Sequence, residues 1–151
     1  MTEVFSADKK DLDFLSQMEK EIFPFDPWSQ EGIQSHLDTN YGFAFILKLE
    51  GKSIGYLLCS RIGDEAELLR IGILPEKRKC GYGNLLLTHW MEEEKRNGTR
   101  HFFLEVRKQN RNAAALYEKN GFVLVGTREN YYKDPLDHAL LYQIHIKESK
   151  L

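Results

Sequence analysis

Arg78-Lys79-Cys80-Gly81-Tyr82-Gly83 sets two glycines at i and i+2 between an apolar run ending in Ile73-Leu74-Pro75 and a leucine-rich stretch, Leu85-Leu86-Leu87. Glycine lets a backbone approach a ligand closely and take conformations that a Cβ forbids. A helix starting at such a turn offers unpaired N–H groups and the positive end of its dipole, and both favour an anion. Lys77, Arg78 and Lys79 add positive charge beside it. The chemistry that fits is retention of a diphosphate-bearing cofactor. Taken by itself, the turn also allows a plain glycine-rich link from strand to helix. Its spacing excludes two other phosphate loops: no Lys-Ser or Lys-Thr follows Gly81 or Gly83, and Leu86 stands where a dinucleotide fingerprint needs its third glycine.

Other reactive side chains are less distinctive. Glu105 lies between Leu104 and Val106, so an extended backbone puts it on the opposite face from both. An ionised Glu buried there would be costly, so it needs an opening or a partner; pairing with Arg107 or Arg70 on a solvated face meets that need. Tyr117 sits beside Leu116 and near Phe122, a setting that also suits a core tyrosine. The histidines (His36, His89, His101, His138, His145) share no metal-ligand spacing, and no histidine follows Cys80 at a spacing that would make it a nucleophile. Glu92-Glu93-Glu94-Lys95-Arg96 reads as a solvated helix face with i,i+3 and i,i+4 pairs.

Composition narrows the class. A length of 151 residues fits one domain with a substantial core, and 42% hydrophobic with 29% charged residues describes an ordinary globular protein. A net charge of −2 gives no general attraction to nucleic acid or anionic membrane. Membrane-span length is nowhere approached, and Met1-Thr2-Glu3-Val4 lacks a charged-then-apolar leader, so the expected address is the cytoplasm. Cys59 and Cys80 show no C-x-x-C spacing.

The elements that must position these groups follow from hydrophobic spacing. Asp8 to Ile22 carries Phe14, Leu15, Met18 and Ile22 at helical intervals. Phe23-Pro24-Phe25-Asp26-Pro27 ends that helix, and Ser29 can cap a second one over Ile33 and Leu37. Phe43–Leu49 and Ser53–Ser60 around Glu50-Gly51-Lys52 read as a β-hairpin, followed by a strand from Ala66 to Ile73. A helix from Tyr82 to about Asn97 aligns Leu86, Leu87, Trp90 and Met91. Phe102–Arg107 is a strand, Asn110 caps a helix closed by Gly121, and Phe122–Val125 and Ala139–Ile146 are two more strands. This order predicts an α/β domain with a mixed sheet covered by helices.

Leu104-Glu105-Val106-Arg107, then Asn110, then Ala113 through Leu116-Tyr117 to Gly121-Phe122 resembles the LEVR-x-x-N-x-x-A-x-x-LY-x-x-x-GF string of RimI-type ribosomal-protein alanine N-acetyltransferases. The Arg78–Gly83 turn is similar to the pyrophosphate motif of GNAT acetyltransferases in general. Pro27-Trp28-Ser29 resembles the branch's PWS, and Arg128-Glu129-Asn130-Tyr131-Tyr132 resembles its R-x-x-YY loop. Two departures stand out: Asp137-His138-Ala139 replaces a frequent Glu-Asp-Ala, and the loop from Tyr132 to Asp137 is short.

The resemblance implies a GNAT fold with a mostly antiparallel sheet and one domain over residues 1–151. It implies direct transfer of acetyl from acetyl-coenzyme A to a protein N-terminal α-amine, with alanine of a small-subunit ribosomal protein as acceptor, no metal, no nucleic acid and no membrane. A lysine or small-amine acceptor, or a coenzyme A-binding module without catalysis, are the alternatives. A monomer is compatible with the sequence. On this reading Glu105 is the general base and Tyr117 the acid that protonates the departing thiolate. Ile71, Gly72 and Ile73 lie where the sheet parts, pairing with the pantetheine and acetyl oxygen. Lys79, Cys80, Gly81, Tyr82, Gly83 and Asn84 hold the diphosphate, mainly by main-chain donors, and Asn110 combines helix capping with a cofactor contact.

Overall fold

The computed structural model describes residues 1–147. In chain order the elements are β1 (Thr2–Ala7), α1 (Leu12–Ile22), α2 (Gln30–Asp38), β2 (Gly42–Leu49), β3 (Lys52–Ile62), β4 (Glu65–Ile73), α3 (Tyr82–Arg96), β5 (His101–Arg107), α4 (Arg111–Lys119), β6 (Val123–Tyr132) and β7 (Asp137–His145). Among the described residues the strands form one seven-stranded sheet in the order β1-β2-β3-β4-β5-β7-β6. All neighbours are antiparallel except β4 and β5.

Local chemistry accounts for most boundaries. Asp8 and Asp11 form a reciprocal cap on the turn leading into α1, and the Ser29 hydroxyl accepts from the Gly32 N–H at 2.9 Å to start α2. Glu50 and Gly51, both at positive φ, make the two-residue turn of the β2–β3 hairpin. Apolar side chains fill both faces of the sheet. Leu86, Leu87 and Trp90 of α3 pack on Leu68, Phe102 and Leu104, while Leu15 and Met18 of α1 and Ile33 of α2 pack on Ile46, Tyr56 and Leu58.

Two boundaries differ from the sequence expectation. β1 was not anticipated; it is an edge strand whose short run gains order by pairing with β2. β6 does not stop at Val125, and the R-x-x-YY segment is strand rather than loop: β6 runs through Tyr132, with pairing interrupted between Leu124 and Gly126 and between Arg128 and Tyr132. Such bulges hide a long strand from a search for strict alternation. No helix among the described residues is long and apolar enough to cross a membrane.

Candidate active site

The site begins with a break in the sheet. β4 and β5 run parallel and pair only from Glu65–His101 to Leu68–Leu104. At that point β4 carries a bulge, because Leu58 pairs with Arg70 while Cys59 pairs with Leu68, leaving Leu69 over. A bulge bends and twists its strand. Beyond it the two arms separate: Arg70 to Ile73 stay paired with β3, and the edge toward β5 has no strand partner among the described residues.

Into this gap opens a cleft of about 640 Å³. Ile71, Gly72 and Ile73 line it from β4. The turn before α3 contributes Lys79, Gly81, Tyr82, Gly83 and Asn84, and α4 contributes its cap Asn110 together with Leu116 and Tyr117 from farther along the helix. Gly72 pairs opposite Tyr56, and a Cβ there would meet the Tyr56 ring at 2.9 Å and Ile22 at 3.1 Å. Its smallness is therefore set by those bulky neighbours, and the bulge lies three residues earlier, at Leu69.

The turn suits an anion. Lys79 and Gly81 both have positive φ, and α3 starts with no side-chain cap and no acidic residue in its first turn. Its first N–H groups thus remain available at the positive end of a fifteen-residue helix. Arg78 Nε donates to the Ile73 carbonyl at 3.0 Å, tying the turn to the end of β4. Asn84 Oδ1 accepts from Asn120 at 2.9 Å, tying it to α4. Cys80 is exposed, with Sγ 3.4 Å from the Arg78 carbonyl, and lies off the cleft wall. Asn110 caps α4 by accepting from the Ala113 N–H at 3.2 Å. Bare N–H groups, flanking cations and a deep apolar-walled cleft fit a diphosphate with a long tail.

The two candidate proton carriers stand on opposite faces of the sheet. Tyr117 is 5% exposed on the α3–α4 side, with its ring edge-on to Phe122 at 5.9 Å. Burial, with a smaller contribution from Tyr132, pushes its phenol above the ordinary tyrosine range, so it holds its proton. Glu105 lies on the other face, does not line the 640 Å³ cleft, and has a side chain 31% exposed. Its partner is neither Arg107 nor Arg70 but Arg128, with Nε 3.4 Å from the carboxylate.

Arg70 and Arg107 serve a network that the sequence did not disclose. Glu19 of α1 is fully buried and accepts from Arg70 Nη2 at 2.9 Å, from the Trp28 N–H at 2.9 Å and from the Tyr56 hydroxyl. Arg70 also stacks 3.9 Å over the Phe23 ring and donates to the Asp26 carbonyl at 2.6 Å. The Asp26 carboxylate lies 3.9 Å from Arg70 and 3.7 Å from Arg107, so it bridges the separated arms. Arg107 donates to the Pro135 carbonyl at 2.7 Å and lies 4.3 Å over the Tyr132 ring. Burial first and Glu105 second push Tyr132 up to about 12. Glu67, on the same face as Glu105, has its carboxyl raised by burial and then by Glu105, with Arg128 opposing. No short motif announces these groups, because they come from separate segments.

Residues 12–122 match the Acetyltransferase (GNAT) family. The chain belongs to the GNAT acetyltransferase family. Members use acetyl-coenzyme A, and this acetyltransferase is an N-acetyltransferase that depends on it. It is 33% identical to the [ribosomal protein bS18]-alanine N-acetyltransferase of Escherichia coli K12 over 148 residues, covering 97% of this chain and 99% of the relative. The Haemophilus influenzae enzyme of the same description is 40% identical over 111 residues, 72% of this chain and 73% of that one. The crystal structure of the Escherichia coli ribosomal-protein-S18-alanine N-acetyltransferase superposes with a TM-score of 0.91 at 30% identity, covering 99% of this chain and 97% of that one. An IAA acetyltransferase from Bacillus cereus shares the fold, with a TM-score of 0.80 at 16% identity over 97% of this acetyltransferase and 100% of its own chain. Among the described residues no three His, Cys, Asp or Glu side chains gather as a metal site.

Proposed function

We propose that this acetyltransferase moves acetyl from acetyl-coenzyme A to the N-terminal α-amine of the alanine that begins ribosomal protein bS18, in the cytoplasm, as a single domain and without a metal. The observation that carries the acceptor is likeness over 97% of the chain to an enzyme described by that reaction. The cleft's geometry supports the cofactor's pose. Main-chain N–H groups from Lys79 to Asn84 hold the diphosphate, and the free edge of β4 at Ile71–Ile73 pairs with the pantetheine and polarises the thioester carbonyl. Asn110, on the cleft wall, contacts the same tail.

Catalysis then crosses the break in the sheet. The acceptor approaches from the face of Glu105, which takes the proton that the ammonium must lose. An α-amine titrates near ~7.7–8.0, against ~10.4 for lysine, so an N-terminus asks less of that carboxylate. The amine nitrogen attacks the carbonyl carbon, the C–S bond breaks, Tyr117 on the opposite face protonates the thiolate, and the second proton that the nitrogen sheds on becoming an amide restores the tyrosine. Burial keeps the phenol protonated and so available as the donor, while also making it a weaker acid than a free tyrosine.

A panel of acceptors tests the assignment: an alanine-starting peptide, the same peptide pre-blocked, an internal-lysine peptide and a polyamine. Turnover of the free alanine terminus, with none of the blocked peptide, is expected. Turnover of lysine or polyamine without the alanine terminus would reject the acceptor.

A further inference from the structure

We infer that His138 is a positioning residue for the acceptor: its ring clamps the bulge of β6 that presents Arg128, Tyr131 and Tyr132 to Glu105. Arg128 pairs with Ala139 and Tyr132 pairs with Asp137, so Glu129, Asn130 and Tyr131 bow outward opposite His138 alone. Asn130, in the middle of the bow, has a φ of 53°, a left-handed conformation rarely taken without local support. The support is the histidine ring: the Asn130 N–H donates to His138 Nδ1 at 3.0 Å. That bond requires Nδ1 to be unprotonated.

His138 is itself anchored from the other side. Its carbonyl accepts from the Lys108 N–H at 2.9 Å, and its own N–H donates to the buried Asp137 carboxylate at 2.8 Å. The other Asp137 oxygen accepts from the Gln109 N–H at 3.1 Å. The ring therefore carries the order of the β5–α4 turn across to β6. The bow and the two paired residues that bound it carry the groups around Glu105: Arg128 pairs with Glu105, Tyr131 lies 5.6 Å from Arg128, and Tyr132 lies under Arg107. A hollow of about 360 Å³, walled by Lys108, Arg111, Asn130, Leu136 and His138, lies beside the bow and leaves it room to move once released. The departure at Asp137-His138-Ala139 thus supplies the ring that holds the bow.

This inference rests on the acceptor reading above, so its test has a kinetic arm and a structural arm. Asn Oδ1 stands as many bonds beyond Cβ as His Nδ1 and is an acceptor, so His138→Asn keeps the clamp while His138→Ala removes it. Loss of one hydrogen bond should raise KM for the alanine-starting peptide about threefold to tenfold in His138→Ala, with KM for acetyl-coenzyme A unchanged and His138→Asn close to wild type. In the free proteins, amide hydrogen exchange at Asn130 should be roughly tenfold faster in His138→Ala than in wild type or His138→Asn. An unchanged peptide KM in His138→Ala, an Asn variant as poor as Ala, or a parallel rise in both KM values would overturn the inference. Equal exchange at Asn130 in all three proteins would also overturn it, even where wild type turns over no alanine peptide. That last kinetic result alone strikes the acceptor reading and leaves the clamp to be judged by exchange.

Discussion

The two sides of the parted sheet are built by different means. On the proposed cofactor side the groups offered to the diphosphate come from nearly consecutive residues, Lys79 to Asn84, and are backbone N–H groups at an uncapped helix start. On the acceptor side the groups are side chains from α1, the loop before α2, β4, β5 and β6, joined by ion pairs through Asp26 and Arg128. Even the two helix starts beside the cleft differ: α4 is capped by Asn110, and α3 is not capped by any side chain. A phosphate chain common to a whole superfamily can be held by main chain, which depends little on side-chain identity. An acceptor particular to one branch must be read by side chains, and these can be replaced piece by piece.

The largest effects should come where the two sides meet. Glu105→Gln removes the proposed proton acceptor and should lower kcat about 10²- to 10⁴-fold, the usual worth of general base catalysis. The loss should be greatest at pH values where the amine is still protonated, read from pH–rate profiles of both proteins. A loss uniform across pH would give Glu105 a positioning role. Tyr117→Phe should lower kcat about 10²-fold and leave acetyl-coenzyme A affinity within about twofold, because the hydroxyl acts mainly in the transition state. Since burial raises the Tyr117 phenol above its ordinary range, it is protonated throughout neutral and mildly alkaline pH, and no alkaline loss of rate near ~10 should belong to it. An unchanged kcat would remove Tyr117 from the chemistry.

The same contrast explains what was legible beforehand. The glycine turn, the Asn110 cap and the apolar face of α3 are local patterns, and each lies where its spacing predicts. Glu105 could be assigned to the open face by alternation, yet its partner could not, because Arg128 arrives from β6 after a bulge resets the register. Glu19 reads as an ordinary polar position of an amphipathic helix; its burial is balanced by Arg70, 51 residues away. β1 is too short and mixed to signal itself apart from its pairing with β2. Long-range pairing of charges leaves no periodic trace in a sequence.

A smaller effect isolates the backbone character of the cofactor side. Gly81 has a φ of 85° and open space where a Cβ would stand, so Gly81→Ala adds torsional strain without a clash. A left-handed alanine costs roughly 1–2 kcal/mol, which should weaken acetyl-coenzyme A binding about tenfold by calorimetry as the turn relaxes away from the bound shape. Peptide KM, measured at saturating cofactor, should stay near wild type. Equal damage to both substrates would dissolve the division between the two sides.

The smallest effect probes the charge balance of the acceptor side. Glu67 has its carboxyl raised by burial and by Glu105, so the folded protein binds that proton more tightly than the unfolded chain. The sign follows directly: the ionised form opposes folding above the folded-state pKa, and this penalty disappears as pH falls below the ordinary carboxylate range. Glu67→Gln should therefore raise Tm at neutral pH, by about 1–3 °C given the side chain's partial exposure, and the gain should shrink as the medium is acidified. A variant less stable than wild type at neutral pH would mean that the attraction of Glu67 to Arg128 outweighs both burial and repulsion by Glu105. Arg128 would then be shared by two carboxylates, and the acceptor face would be held together by charge as firmly as the cofactor face is by its backbone.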